Sequence, residues 1–118
     1  MRTTYRYKNL SFPIGDAEEV KFTVKFISDG NEGQTIINIP GDNDPEIPNE
    51  GTISLGKGSD LRRENTIAVS DIYNLAVEED EIRIQYSING VLLKEHVNNK
   101  SDESRPLIIL IINFPVKD

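Results

Sequence analysis

The chain has 118 residues, with 13 Lys and Arg against 20 Asp and Glu for a net charge of −7, and it contains no cysteine. That length fits one domain, residues 1–118, around a single core, while the charge repels nucleic-acid phosphates and anionic membrane surfaces. The absence of thiols excludes disulfides, Cys-bound zinc, iron–sulfur clusters and a thiol nucleophile.

The opening MRTTYRYKNLSF carries early positive charge but no apolar segment of the kind a secretory signal needs, so the expectation is a mature, cytoplasmic protein. Within it, Tyr5 and Tyr7 share one parity and Leu10 and Phe12 the other, which predicts a strand with a bulge or bend near Asn9. In VKFTVKFIS, Val20, Phe22, Val24 and Phe26 alternate with Lys21, Thr23 and Lys25, the pattern of a half-buried strand. Shorter strands are expected in QTIINI from Gln34, GTISL from Gly51 and NTIAVSDIY from Asn65. SDIYNLAVEED offers at most one helical turn, and no stretch has the 3.6-residue apolar stripe of a longer helix. IRIQYSI places Ile82, Ile84, Tyr86 and Ile88 inward and runs into Asn89-Gly90, the strongest short signal for a type I′ hairpin, with VLLKEHV as the returning strand.

Many short strands separated by Gly, Pro, Asn and Asp predict an all-β fold: an antiparallel β-sandwich, immunoglobulin-like in architecture, of about seven or eight strands. The Cys and Trp signature of true immunoglobulin domains is absent.

Four features invite a functional reading. GDNDPEIPNEG gathers Asp42, Asp44, Glu46 and Glu50, hard oxygen donors that suit calcium, although Ile47 and Ile53 stand where an EF-hand needs Gly and a bidentate Glu. No other cofactor is expected. LGKGSD lacks the spacing of a nucleotide loop and reads as a turn with Gly56 and Gly58 at unusual φ; Arg62 and Arg63 after it form a basic pair that suits an anion. Glu78, Glu79, Asp80 and Glu81 form an acidic block suited to a basic partner. His96, the only histidine, is in phase with Lys94 and Leu92 and opposite Val91, Leu93 and Val97, which predicts a wet position; no nucleophile-elbow motif accompanies it, and a catalytic role is not assigned.

The chain closes on RPLIILIINFPV. Six consecutive aliphatic residues, Leu107 to Ile112, are too few to span a bilayer, so membrane insertion is not expected. A continuous apolar run is what a strand covered on both faces looks like. One parity belongs in the core. The other, assigned here to Ile108, Leu110 and Ile112, needs cover from a loop, a second copy or another protein. The functional expectation is therefore a non-catalytic protein-interaction module, an accessory, structural or inhibitor protein, that binds another protein or itself. The alternative is a calcium- or carbohydrate-binding module using end loops, with a small enzyme third.

Overall fold

The computed structural model describes residues 3–27, 31–39, 44–62, 64–74, 80–102 and 105–117, without the side chains of 31, 73 and 74. The elements follow in chain order as β1 (Thr4–Ser11), β2 (Glu19–Phe26), β3 (Asn31–Asn38), β4 (Glu46–Pro48), β5 (Gly51–Lys57), the single turn α1 (Gly58–Leu61), β6 (Thr66–Asn74), β7 (Glu81–Ile88), β8 (Val91–Asn99) and β9 (Leu107–Asn113). They form two sheets: sheet I in the order β1-β9-β6-β3-β4, and sheet II in the order β5-β2-β7-β8. The all-β expectation holds; seven of these strands overlap segments read from alternation, and β9 is the continuous aliphatic run.

Local chemistry accounts for the turns. Asn89 and Gly90 have φ of 51° and 81°, the positive pair that a type I′ turn requires. The turn is also clasped to β2: the Asn89 carboxamide accepts from the Lys21 amide at 2.9 Å and donates to the Glu19 carbonyl at 3.2 Å. The bulge expected near Asn9 is present, with the β1–β9 register shifting between Tyr7 and Leu10 and Asn9 at φ 62°. Gly56 adopts the expected positive φ of 114°, but Gly58 does not. Gly58 is needed for closeness instead, because a Cβ there would fall 2.3 Å from the Gly15 carbonyl oxygen.

Strand order sets this sandwich apart from an immunoglobulin constant domain, whose last two strands are neighbours in one sheet. Here β8 closes sheet II, whereas β9 lies inside sheet I between β1, parallel to it, and β6, antiparallel. A ninth strand, β4, was not visible as alternation; its three residues pair with β3 and place Ile47 in the core.

The core lies between the sheets. Val20, Phe22 and Val24 of β2 and Ile82, Ile84, Tyr86 and Ile88 of β7 face Ile108, Leu110 and Ile112 of β9, all buried. Each such aliphatic side chain contributes about 1.5–3 kcal/mol on full burial. The inner side of sheet I is also polar in places. Thr35 and Ser70 hydroxyls meet at 2.7 Å, and the Tyr86 hydroxyl donates to Ser70 at 2.8 Å, a chain buried between the sheets. Desolvation pushes the Tyr86 hydroxyl pKa well above its usual value. Thr66 is buried as well, its hydroxyl without a hydrogen-bond partner among the described residues.

Candidate functional site: the outer face of sheet I

Thr66, Ala68, Ser70 and Ile72 of β6 point inward and are buried, so Ile67, Val69 and Asp71 point outward. Sheet register continues that surface. Val69 lies beside Ile109 of β9 on one side and Ile36 of β3 on the other, and Ile67 lies beside Ile111 and Asn38. Leu107 sits beside Asp71. The result is a contiguous aliphatic field of Ile36, Ile67, Val69, Leu107, Ile109 and Ile111. Ile36 is 39% exposed and the other five are half-buried. Among the described residues, no strand or helix forms a third layer over it.

Around the field the residues are polar: Arg6 and Thr4 on β1, Gln34 and Asn38 on β3, Glu46 on β4 and Asn113 at the end of β9. An apolar centre with a polar rim is the anatomy of a protein interface.

Sheet II has the opposite outer chemistry. Lys21, Thr23 and Lys25 of β2, Thr52 and Ser54 of β5, Arg83, Gln85 and Ser87 of β7 and Glu95 of β8 face outward. Arg83 makes a two-pronged contact to Glu81 at 2.8 and 2.9 Å and a further one to Glu95 at 2.7 Å, and Gln85 donates to Glu95 at 2.8 Å. Hydrogen bonding from Arg83 holds the Glu81 carboxyl below its usual range. Leu92 and Val97 on the edge strand, separated by Glu95, and Ile27 just beyond β2 are exposed aliphatic exceptions.

Several expectations are corrected by placement. Ile108, Leu110 and Ile112 are the core parity, each 0% exposed, and Leu107, Ile109 and Ile111 are the outward set. The phase follows from β9 lying between β1 and β6 with its even-numbered side chains toward sheet II. Arg62 does not present an open anion site: its guanidinium bonds the Asp16 carboxylate, the Ile14 carbonyl at 2.6 Å and the Phe114 carbonyl at 3.2 Å, tying both chain ends to α1. Arg63 lies outside the described residues.

Of the calcium set, Asp42 lies outside the described residues, while Asp44, Glu46 and Glu50 are exposed. Glu50 accepts a hydrogen bond from the Phe26 amide at 2.5 Å. No group of three or more His, Cys, Asp or Glu that suits a metal occurs among the described residues. In the acidic block, Glu78 and Glu79 lie outside the described residues; Asp80 accepts from the Ser101 amide at 2.9 Å and Glu81 pairs with Arg83. These two brace turns and strands rather than forming one open acidic face.

His96 is 0% exposed, not wet. The register of β8 against β7 shifts between Leu92 and Lys94, leaving Leu93 as an extra residue. Counting alternation through that bulge inverts the phase, so Lys94, His96 and Asn98 turn inward. His96 there meets β1 of the other sheet. The Tyr7 hydroxyl donates to Nδ1 at 2.7 Å, Nε2–H donates to the Asn98 carboxamide oxygen at 2.7 Å, and the Tyr5 ring packs edge-on at 4.6 Å. Asn98 donates onward to the Asn99 carbonyl at 2.9 Å, which fixes its oxygen toward the ring. Lys94 covers the Tyr7 ring at 4.7 Å. Desolvation, with Lys94 adding to it, lowers the His96 pKa, and burial followed by Tyr5 raises that of Tyr7. Both ring nitrogens are occupied, so the arrangement closes the seam between the sheets and leaves no open base.

An open groove of about 710 Å³ lies where both chain ends meet the β7–β8 turn, lined by Phe12, Ile14, Val91 and Val116 with Glu18 and Lys117 at its rim. Glu18 is engaged there with the Gly15 amide. No helix among the described residues is long and apolar enough to cross a membrane. Comparison of the chain with models of protein families, with curated proteins and with solved structures finds no match.

Proposed function

We propose that this chain is a non-catalytic protein-interaction module that docks a partner protein on the outer face of sheet I. One observation carries the reading: β6 turns two aliphatic side chains, Ile67 and Val69, outward while two hydroxyl side chains, Thr66 and Ser70, are buried beside Ala68 and Ile72. A sandwich strand ordinarily keeps its aliphatic parity inside and its polar parity in water. Ile67 and Val69 instead face out beside Ile36, Ile109 and Ile111. The outer face of sheet II, by contrast, is mostly polar, with Lys21, Thr23, Lys25, Arg83, Gln85 and Glu95.

Affinity would come from desolvating the aliphatic field, and orientation from the charged rim. Carbene footprinting of the dilute isolated protein and of the same protein added to an extract of its source cells tests this. The expected result is labelling at Ile109 and Val69 in isolation, protection of both in the extract, and no change at Thr23. Equal labelling of Ile109 in the two samples would refute the reading.

A further inference from the structure

We propose that the occupant of this face is a second copy of the same chain, packed face to face about a two-fold axis parallel to β6; the proposal rests on the docking role of the face. The charges around the aliphatic field are divided by side. Exposed Arg6 and Lys8 lie on β1 at one edge, and exposed Glu32, Asp44 and Glu46 lie on or beside β3 and β4 at the other. Register places Arg6 beside Ile109, Ile109 beside Val69, Val69 beside Ile36 and Ile36 beside Glu46, so a single row runs from cation to anion through three aliphatic side chains.

A face of this kind complements itself in only one of the two symmetric stackings. An axis parallel to the strands turns β1 of one copy over β4 of the other, so that Arg6 meets Glu46 twice and Ile109 covers Ile36 twice. An axis across the strands stacks Arg6 on Arg6 and Glu46 on Glu46, which like-charge repulsion disfavours. In the favoured arrangement Val69 and Ile67 meet their own copies at the axis. Asp71 does so too.

Size agrees with a weak, specific dimer. Four strands about 4.8 Å apart and about seven residues long, with the three residues of β4 beside them, cover about 490 Å² per copy, against about 800 Å² for a standard interface. An association on the order of micromolar is the expected outcome.

Sedimentation of the full chain from about 1 μM to about 1 mM reads the association directly. Arg6→Glu and Glu46→Arg should each weaken the dimer about tenfold, and their combination should restore it to within about threefold. Circular dichroism melts confirm that each variant folds. A chain that stays monomeric throughout, or a dimer indifferent to both reversals, overturns the proposal. These failures are separable from failure of the docking role. A monomer whose Ile109 is still protected in extract, or a dimer lost only in Ile109→Lys, overturns self-pairing about this axis while the face still docks; a monomer without that protection removes both.

Discussion

Replacing Tyr7 with Phe removes one hydroxyl from the seam between the sheets and leaves the ring, including its contact with Lys94, in place. That hydroxyl satisfies Nδ1 of His96, a nitrogen on a side chain that is 0% exposed. The other ring nitrogen already donates to Asn98. The variant therefore strands a buried acceptor, which costs roughly 1–3 kcal/mol, more than the ~1 kcal/mol net value of an ordinary hydrogen bond. For a chain of this length each kcal/mol lowers the melting midpoint by about 3–6 °C. Urea denaturation at pH 7.5, where His96 is neutral, gives the free energy, and an unchanged m-value shows that the lost stability belongs to the folded state. A difference below about 0.3 kcal/mol would refute the seam, because it would mean that water already reaches His96 or that Tyr7 does not bond it.

Further outcomes follow from the same placements. Because burial lowers the His96 pKa, the folded protein holds fewer protons than the unfolded chain between the lowered value and the ordinary one near 6.5; stability is complete above that ordinary value and falls on acidification by up to about 1.4 kcal/mol per pH unit, a slope that urea midpoints should show and that His96→Gln should abolish. Ile108→Lys should unfold the protein or cost more than about 3 kcal/mol, whereas Ile109→Lys should cost about 1 kcal/mol or less, a contrast that thermal melts of the two variants resolve. Calcium at about 1 mM should leave the melting midpoint where a chelator leaves it; a rise on adding calcium would instead establish binding at the acidic loops.

Fold class was readable because alternation is a direct record of one wet and one dry side, as in Val20 to Phe26 and Ile82 to Ile88. The Asn89-Gly90 turn and the Asn9 bulge were readable for a similar reason, since each needs backbone angles that few residues adopt. What escaped was phase. Leu107 to Ile112 is aliphatic at every position, so hydrophobicity does not say which side is inner; β6 and β1 decide it. A single extra residue, Leu93, reversed the side assigned to His96, although the pairing of Tyr86 with Lys94 and of Ser87 with Leu92 makes it plain in three dimensions. β4 is too short to alternate, and its one cue was Ile47, alone among acids and prolines. The role of Arg62 depends on carbonyls at Ile14 and Phe114, 48 and 52 residues away in sequence, which no local pattern encodes. The aliphatic outer face of sheet I left a partial trace: a run too apolar for a half-wet strand was visible, but the neighbours that extend it, Ile67 and Val69, resembled core.

The most direct measurement of the docking role is photo-crosslinking from a photoreactive amino acid placed at position 109, compared with one at position 23 on the polar face of sheet II, in extract of the source cells. The docking role predicts a discrete adduct from position 109, with the mass of two copies of the chain if the face pairs with itself and of the chain plus another protein if it does not, and none from position 23. No adduct from position 109, or the same adducts from both positions, would contradict it.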